Sequence, residues 1–489
     1  MCQWHACATR ASGTLFHQPA MLSHDLPLCN GELNMRWTLL TAMLLAVSSA
    51  GGLTVRAAEP PKEATSTESW QAGVARVVIT PPEFIWMSGY GGRSHAAEGK
   101  IHDLYARATA IRDSKGETVV FVATDLVGVP RSMAMTVAAA AKKKHGLPRS
   151  SLMIACSHTH CGPAMDDRLS YMLDMKEADW KQVREYQVWL NQKVIEVVDA
   201  AIADLKPARL STASGVCRFA ANRRTPKGIG PYDHQVPVLK IESANGSKLR
   251  GLVFGYACHN TTLGFYQWCG DYSGFAQLYL EDRHPDSVAM FFTGGGADQN
   301  PLPRRKIELA QKYGRMLAVS VNEVLDEPMQ PVTGELASSF EEIDLEFNQL
   351  PTREQLQADL KHSSRYTRGR AKLLLSEWER DGSLPKTWPY PIQVWKLGNK
   401  INWVALGGEL VVDYQLRLKR ELGENSTWVT GYANDVMAYI PSERVLEEGG
   451  YEGDTSMIVY QLPSKWKAGL EDQIVSTVHR LARQNTNAK

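Results

Sequence analysis

The segment Ser157–Pro163, SHTHCGP, sets two histidines two residues apart directly after an apolar run. In extended backbone residues i and i+2 project to one side, so His158 and His160 can offer two imidazoles to one point, as a metal site requires. Neutral imidazole suits zinc, but two histidines do not complete a site, and a pair of polar loop histidines has the same spacing. Other ionisable residues share the placement at the end of an apolar run. Asp125 follows VVFVAT, His259 follows LVFGYAC, Asp298 follows VAMFFTGGGA and Glu409 follows INWVALGG. In open α/β sheets ligands gather at the carboxyl ends of strands, so these positions predict one cleft. Each also has a plainer reading: a strand-end histidine can be hydrogen-bonded structure, and Glu409 can be a first-turn acid favoured by the helix dipole. Tyr451, in the Gly-flanked turn GYEGDTS, says little alone.

The elements that must position these residues follow from apolar periodicity. Strands are predicted at 75–80, 106–112, 118–124, 151–156, 236–242, 251–257, 288–293 and 401–406, and helices at 131–145, 180–204, 304–326, 353–380 and 464–484. Their alternation predicts an α/β (mixed α+β) fold, a single large domain over 70–486 with a central mixed β-sheet flanked by helices. The Pro-rich stretch 384–391, LPKTWPYP, reads as a loop. With 54 Lys and Arg against 53 Asp and Glu, the chain lacks the charge excess that drives nucleic-acid binding, and no such partner is expected.

Residues 35–58 combine a basic residue, a short apolar run and small residues before Glu59, the pattern of a secretory signal peptide. Export to a periplasm or the exterior is therefore expected, with translation starting near Met35, residues 1–34 a mis-assigned upstream start, and 59–69 a disordered leader. Beyond it lie Cys156, Cys161, Cys217, Cys258 and Cys269, an odd, sparse set that argues against a disulfide framework. Cys161 and Cys258 adjoin histidines, which leaves a cysteine nucleophile as an alternative to metal chemistry.

Taken together, ARVVITPPE, MSGYGGR, IHDLYARA, SHTHCGP, the ANRR segment, YACHNTT with CGDYSGFA, and GYANDVMAYIPSERVLEEGGYEGDTS resemble the neutral/alkaline non-lysosomal ceramidase family. The resemblance implies a Zn2+ site of His158, His259, Glu409 and Tyr439, with His160 as the acid/base and Arg223 and Tyr451 holding the substrate carbonyl. It implies hydrolysis of an N-acylsphingosine-like amide by metal-activated water, a small-molecule or lipid amide substrate, and leaves peripheral membrane contact and oligomeric state open. Two departures stand out. Where the family carries a Ser after the strand at 288–293, this chain reads GGGADQNP, leaving Asp298 and Asn300 to supply polar contacts, and Arg224 replaces a second family Ser. The chain also stops at Lys489, so the family's C-terminal immunoglobulin-like domain is not expected. A zinc-dependent esterase or amidase on a non-ceramide substrate, with Asp298 in the role of the Ser, and an inactive binding protein of the same fold are the alternatives.

Overall fold

Four apolar runs, TVVFVAT, LMIAC, LRGLVFGY and VAMFFT, are buried along nearly their whole length, as strands covered on both faces must be. In the computed structural model, which describes residues 70–225 and 229–487, they belong to one mixed sheet. Its strands are β1 (Trp70–Val78), β2 (Tyr105–Arg112), β3 (Thr118–Thr124), β4 (Leu152–Cys156), β5 (Lys206–Val216), β6 (Gln235–Ser243), β7 (Leu249–Tyr256) and β8 (Val288–Thr293). They run in the order β8-β7-β6-β5-β1-β2-β3-β4, with Gln330–Pro331 added to β5. Only the outermost pairs, β8 with β7 and β3 with β4, are parallel. Both candidate histidine strands, β4 and β7, thus lie in parallel pairs and end on the same side as their neighbours.

A second sheet of β9 (Leu336–Glu346), β10 (Thr387–Leu397), β11 (Ile401–Leu406) and β12 (Thr427–Thr430) packs on the first. Between the sheets Trp395, Trp403 and Trp428 meet Phe121, Met290 and Phe292, all at most 2% exposed. Helices Arg131–His145 and Glu177–Ala203 cover one half of the outer face of the first sheet, and Asp271–Arg283 with Ile307–Asp326 cover the other. Val412–Leu422 and Leu470–Asn487 cover the far face of the second sheet. The result is four layers, helix, sheet, sheet, helix, and the described residues all fall in one compact unit. Among the described residues no helix is long and apolar enough to cross a membrane.

The expected strands and helices occur within about six residues of their expected bounds, while helices Asp271–Arg283 and Val412–Leu422 and strand β12 were not among them, and further differences follow. The stretch 384–391 is largely strand, because β10 carries Pro389 and Pro391 where only β9 pairs with it; β11 pairs from Ile392 onward. Pro391 directs its carbonyl toward Gly407 (3.3 Å), so the missing N–H lies on the side without a ladder. The helix read over 353–380 is two, Arg353–Asp359 and Arg365–Asp381, because Ser364 caps a new start by accepting from the Thr367 N–H. Strands β5 and β9 went unread because their polar residues mask the period-two pattern. The upstream segment, signal peptide and leader lie outside the described residues.

Candidate metal centre

His158 follows β4 in the left-handed region, φ 60°, a conformation rarely held without cause outside glycine. Its Nδ1 lies 2.5 Å from the Val127 carbonyl, and Nδ1 of His259, just beyond β7, lies 2.6 Å from the Gly296 carbonyl. A carbonyl only accepts, so both Nδ1 atoms carry protons and both Nε2 atoms point inward. Glu409 and Tyr439 arrive side by side because the short strands Glu409–Leu410 and Tyr439–Ile440 pair in parallel, with these two residues as register partners. Gly408 makes that pairing feasible. Its φ is +70°, and a Cβ there would meet Ile440 at 2.5 Å.

Oε2 of Glu409 lies 3.2 Å from Nε2 of His158 and 3.1 Å from Nε2 of His259, while the Tyr439 hydroxyl lies 3.3 Å from the latter. Four ligands on zinc at about 2.0–2.1 Å would be spaced about 3.3 Å apart at the corners of a tetrahedron. The Oε1 oxygen accepts from the Tyr460 hydroxyl, but Oε2 is buried with no donor. Burial holds the His259 imidazole down to about 4, with Arg223 acting the same way, so its Nε2 carries no proton at neutral pH. A buried carboxylate oxygen set against the unprotonated Nε2 of His259, with Nε2 of His158 beside it, is poorly satisfied until a cation stands among them. The donor set therefore fits a divalent metal. The His158, His160 and His259 ligand atoms also lie within 4.8 Å of one another.

His160 stands beside this set. Its Nε2 is 3.0 Å from Nε2 of His158, its ring meets Tyr90 edge-on at 4.6 Å, and its buried Nδ1 has no partner. Burial, then His158 and His259, hold its pKa well below the ordinary histidine value. Gly89, φ +91°, leaves room for the ring, since a Cβ would sit 2.4 Å from Cγ of His160. Arg223 donates to the Tyr439 hydroxyl (3.1 Å) and to Glu452 (2.6 Å). Burial works against its charge, but Tyr439, Glu452 and Glu409 outweigh it and keep the guanidinium charged. Tyr451 stacks edge-on against Tyr439 at 5.2 Å from a π-helical turn, Tyr451–Thr455, and remains 42% exposed, open to an incoming molecule.

Asp298 does not join them. Its carboxylate accepts from the Val412 N–H (3.0 Å) and from Asn222 (2.9 Å), and its carbonyl accepts from the Arg223 N–H (2.8 Å). The expected catalytic contact is thus replaced by a brace that holds the backbone of Arg223 and the segment after Glu409. Asp125, also a strand-end acid, is committed to Arg107, Gln277 and the Tyr105 N–H. All five described cysteines are free and buried, and burial pushes the Cys161 thiol up to about 12 and Cys258 well above its ordinary value. Neither supplies a thiolate at neutral pH. Tyr460, Glu452 and Arg93 were not singled out from sequence. Arg93 is buried without a carboxylate and gathers the carbonyls of Ser88, Phe265 and His160. Only Glu452 had a local signal, its place beside Tyr451.

Residues 70–295 match the model of the family described as neutral/alkaline non-lysosomal ceramidase, N-terminal. Two solved structures share the fold. A ceramidase complexed with C2 is 18% identical, with a TM-score of 0.66 over 85% of this chain and 75% of that one. Neutral ceramidase from Pseudomonas aeruginosa is 22% identical, with a TM-score of 0.65 over 84% and 75%. No curated protein sequence matches the chain.

Proposed function

We propose that this chain, whose residues 70–295 belong to the neutral/alkaline non-lysosomal ceramidase family, is an exported zinc-dependent hydrolase of the amide bond in ceramide-like N-acyl lipids. The observation that carries the metal reading is the donorless Oε2 of Glu409 between the Nε2 atoms of His158 and His259. His158, His259, Glu409 and Tyr439 would hold the ion. Zinc bound there lowers the pKa of water toward about 7 and polarises the scissile carbonyl. The chain's own groups do the rest. Arg223, kept charged, and the Tyr451 hydroxyl donate to the carbonyl oxygen as negative charge grows on it. Burial pushes the Tyr451 phenol above its ordinary range, so it stays a proton donor. His160, neutral and with Nδ1 uncommitted, takes a proton from the attacking water and delivers one to the departing nitrogen. Water adds to the carbonyl carbon, the C–N bond breaks, and a carboxylic acid and an amine leave. The signal-peptide pattern at 35–58 supports export.

A second reading, a non-ceramide amide or ester, is favoured by the loop 294–301, which has no Ser and turns Asp298 toward Asn222 and Val412. The test is hydrolysis of a fluorescent N-acylsphingosine by the chain from Glu59 onward, after chelation and after zinc return. Turnover that vanishes and returns is the expected result. A protein that binds one zinc yet leaves this substrate intact would discard ceramide and keep the second reading.

A further inference from the structure

Two arginines beside the centre are left without a carboxylate. Arg305 lies over the Tyr90 ring at 4.6 Å, and the same ring meets His160 at 4.6 Å, so two ring contacts lead from the proposed proton carrier to this guanidinium. Its position is built. The residue is held in the left-handed region, φ 82°, by its N–H to the Thr262 carbonyl (2.6 Å), and Gly264 clears space, since a Cβ there would sit 2.5 Å from Nη1. A backbone held in that region close to a candidate centre points to use. Yet its one side-chain hydrogen bond is a 3.3 Å contact to the Leu263 carbonyl, which leaves most of its donors free. Arg304 next to it makes no hydrogen bond or ion pair among the described residues. Burial first, then Arg305 and Arg223, hold its pKa below the ordinary value, against the opposing pull of Tyr90 and the buried Asp271.

No carboxylate among the described residues pairs with either arginine. Arg304 and Arg305 precede the helix Ile307–Asp326, whose amino end repels cations. The acids nearest Arg223 are spent, because Glu452 is shared between Arg223 and Arg224 and Glu448 pairs with Arg224. The side of the centre beyond Tyr90 therefore carries two guanidinium groups that no carboxylate pairs among the described residues, Arg305 exposed and Arg304 half-buried, with donors that a neutral ceramide would leave to water.

We infer that Arg304 and Arg305 form an anion-recognition subsite beyond Tyr90, so that the preferred substrate is an N-acyl amide bearing a sulfonate, carboxylate or similar anion close to the scissile bond. This inference rests on the hydrolase reading for the word substrate, but not for the binding preference. The probe is a matched pair of non-cleavable ketone isosteres, of N-dodecanoyltaurine and of N-dodecanoylethanolamine; a sulfonate is a poor zinc ligand, so the metal does not supply the difference. Calorimetry on the zinc-loaded chain is expected to show the sulfonate bound about tenfold or more tighter at low salt. The ratio should fall toward one in the Arg304→Gln/Arg305→Gln double variant and shrink in the wild type at high salt. Equal affinity in the wild type, or a preference that survives the double variant, overturns the inference. If the double variant does not fold, the salt dependence of the wild-type ratio decides. Vesicles of phosphatidylcholine with and without phosphatidylglycerol form a further arm: anionic-vesicle binding that the variant abolishes, with the isostere ratio unmoved, would assign the arginines to a membrane surface instead. Failure to hydrolyse either parent amide, with the ratio intact, would sink the hydrolase reading alone.

Discussion

Two buried charged clusters, one around Arg107 and one around Glu409, solve the same problem differently. Arg107 is 1% exposed and donates to Asp125 (3.2 Å) and Glu281 (3.1 Å). The remaining oxygens are met by Gln277 and Arg76, and the Tyr105 and Ala289 N–H groups donate to the same oxygens as Arg107, so that cluster closes on itself. Around Glu409 the chain brings acceptors without enough donors, and Oε2 stays unmet. Burying a carboxylate beside a guanidinium makes structure; burying it beside two imidazoles leaves a set of donors that fits an ion from outside. Burial alone does not separate the two, since both are almost completely enclosed. The donor count does.

The comparison breaks most sharply at Glu409. In Glu409→Gln the amide N–H groups can satisfy the imidazole lone pairs, so the variant should fold without needing an ion. Metal per chain, measured by mass spectrometry, should fall from one to near zero and turnover by roughly a thousandfold or more, the scale of several kcal/mol of lost charge stabilisation. A full metal complement in this variant would remove Glu409 from the site. The mirror experiment is Arg107→Met, which strands Asp125 and Glu281. Urea unfolding should show a loss of about 3–5 kcal/mol, with metal per folded chain unchanged. Metal loss without destabilisation would erase the distinction between the clusters.

The difference between the clusters was only half visible in sequence. Asp125, His158, His259, Asp298 and Glu409 all read as strand-end polar residues, and all are deeply buried. Periodicity placed the strands because long apolar runs leave few alternatives, and strand ends set where a cleft can form. Which of these residues turn inward was not legible, because it depends on partners far along the chain. Asp298 meets Asn222, 76 residues away, and Asp125 meets Gln277, 152 away. Tyr439 was named through the family resemblance, and its neighbourhood with Glu409 comes from pairing of two-residue strands too short to show a period. The second sheet was largely missed for a related reason. Its prolines and charged residues stand where the ladder or solvent tolerates them, which only the pairing reveals.

Gly89→Ala tests the flank of the open cluster rather than its ligands. A methyl 2.4 Å from Cγ of His160, on a backbone at φ +91°, must displace the ring or the loop while leaving the four proposed ligands alone. Metal content should stay at one per chain and turnover should drop about 10–100-fold, the scale for a misplaced catalytic group of about 1 Å. Unchanged turnover with a ring shown to have moved would deny His160 its proton-transfer role.

Asp435 supplies a third answer to carboxylate burial and the smallest effect. It has neither an arginine in contact nor a metal set, only the Trp388 indole N–H at 3.0 Å, and burial, partly offset by Trp388 and Arg131, raises its pKa to about 7. Lacking a cation, it keeps its proton. Between the unfolded value of about 3.9 and the folded value of about 7, the unfolded chain has released a proton that the folded one retains. Stability from this group is therefore complete below about pH 4 and declines as pH rises, by about 1.4 kcal/mol per unit, until the folded carboxyl ionises near pH 7. Asp435→Asn keeps an acceptor for Trp388 and cannot ionise. Its stability relative to wild type, from urea unfolding at a series of pH values, should improve by about 2 kcal/mol between about pH 5 and 6.5. A flat difference would mean that Asp435 is ionised in the folded state, and that this carboxylate has found a cationic partner as Asp125 has.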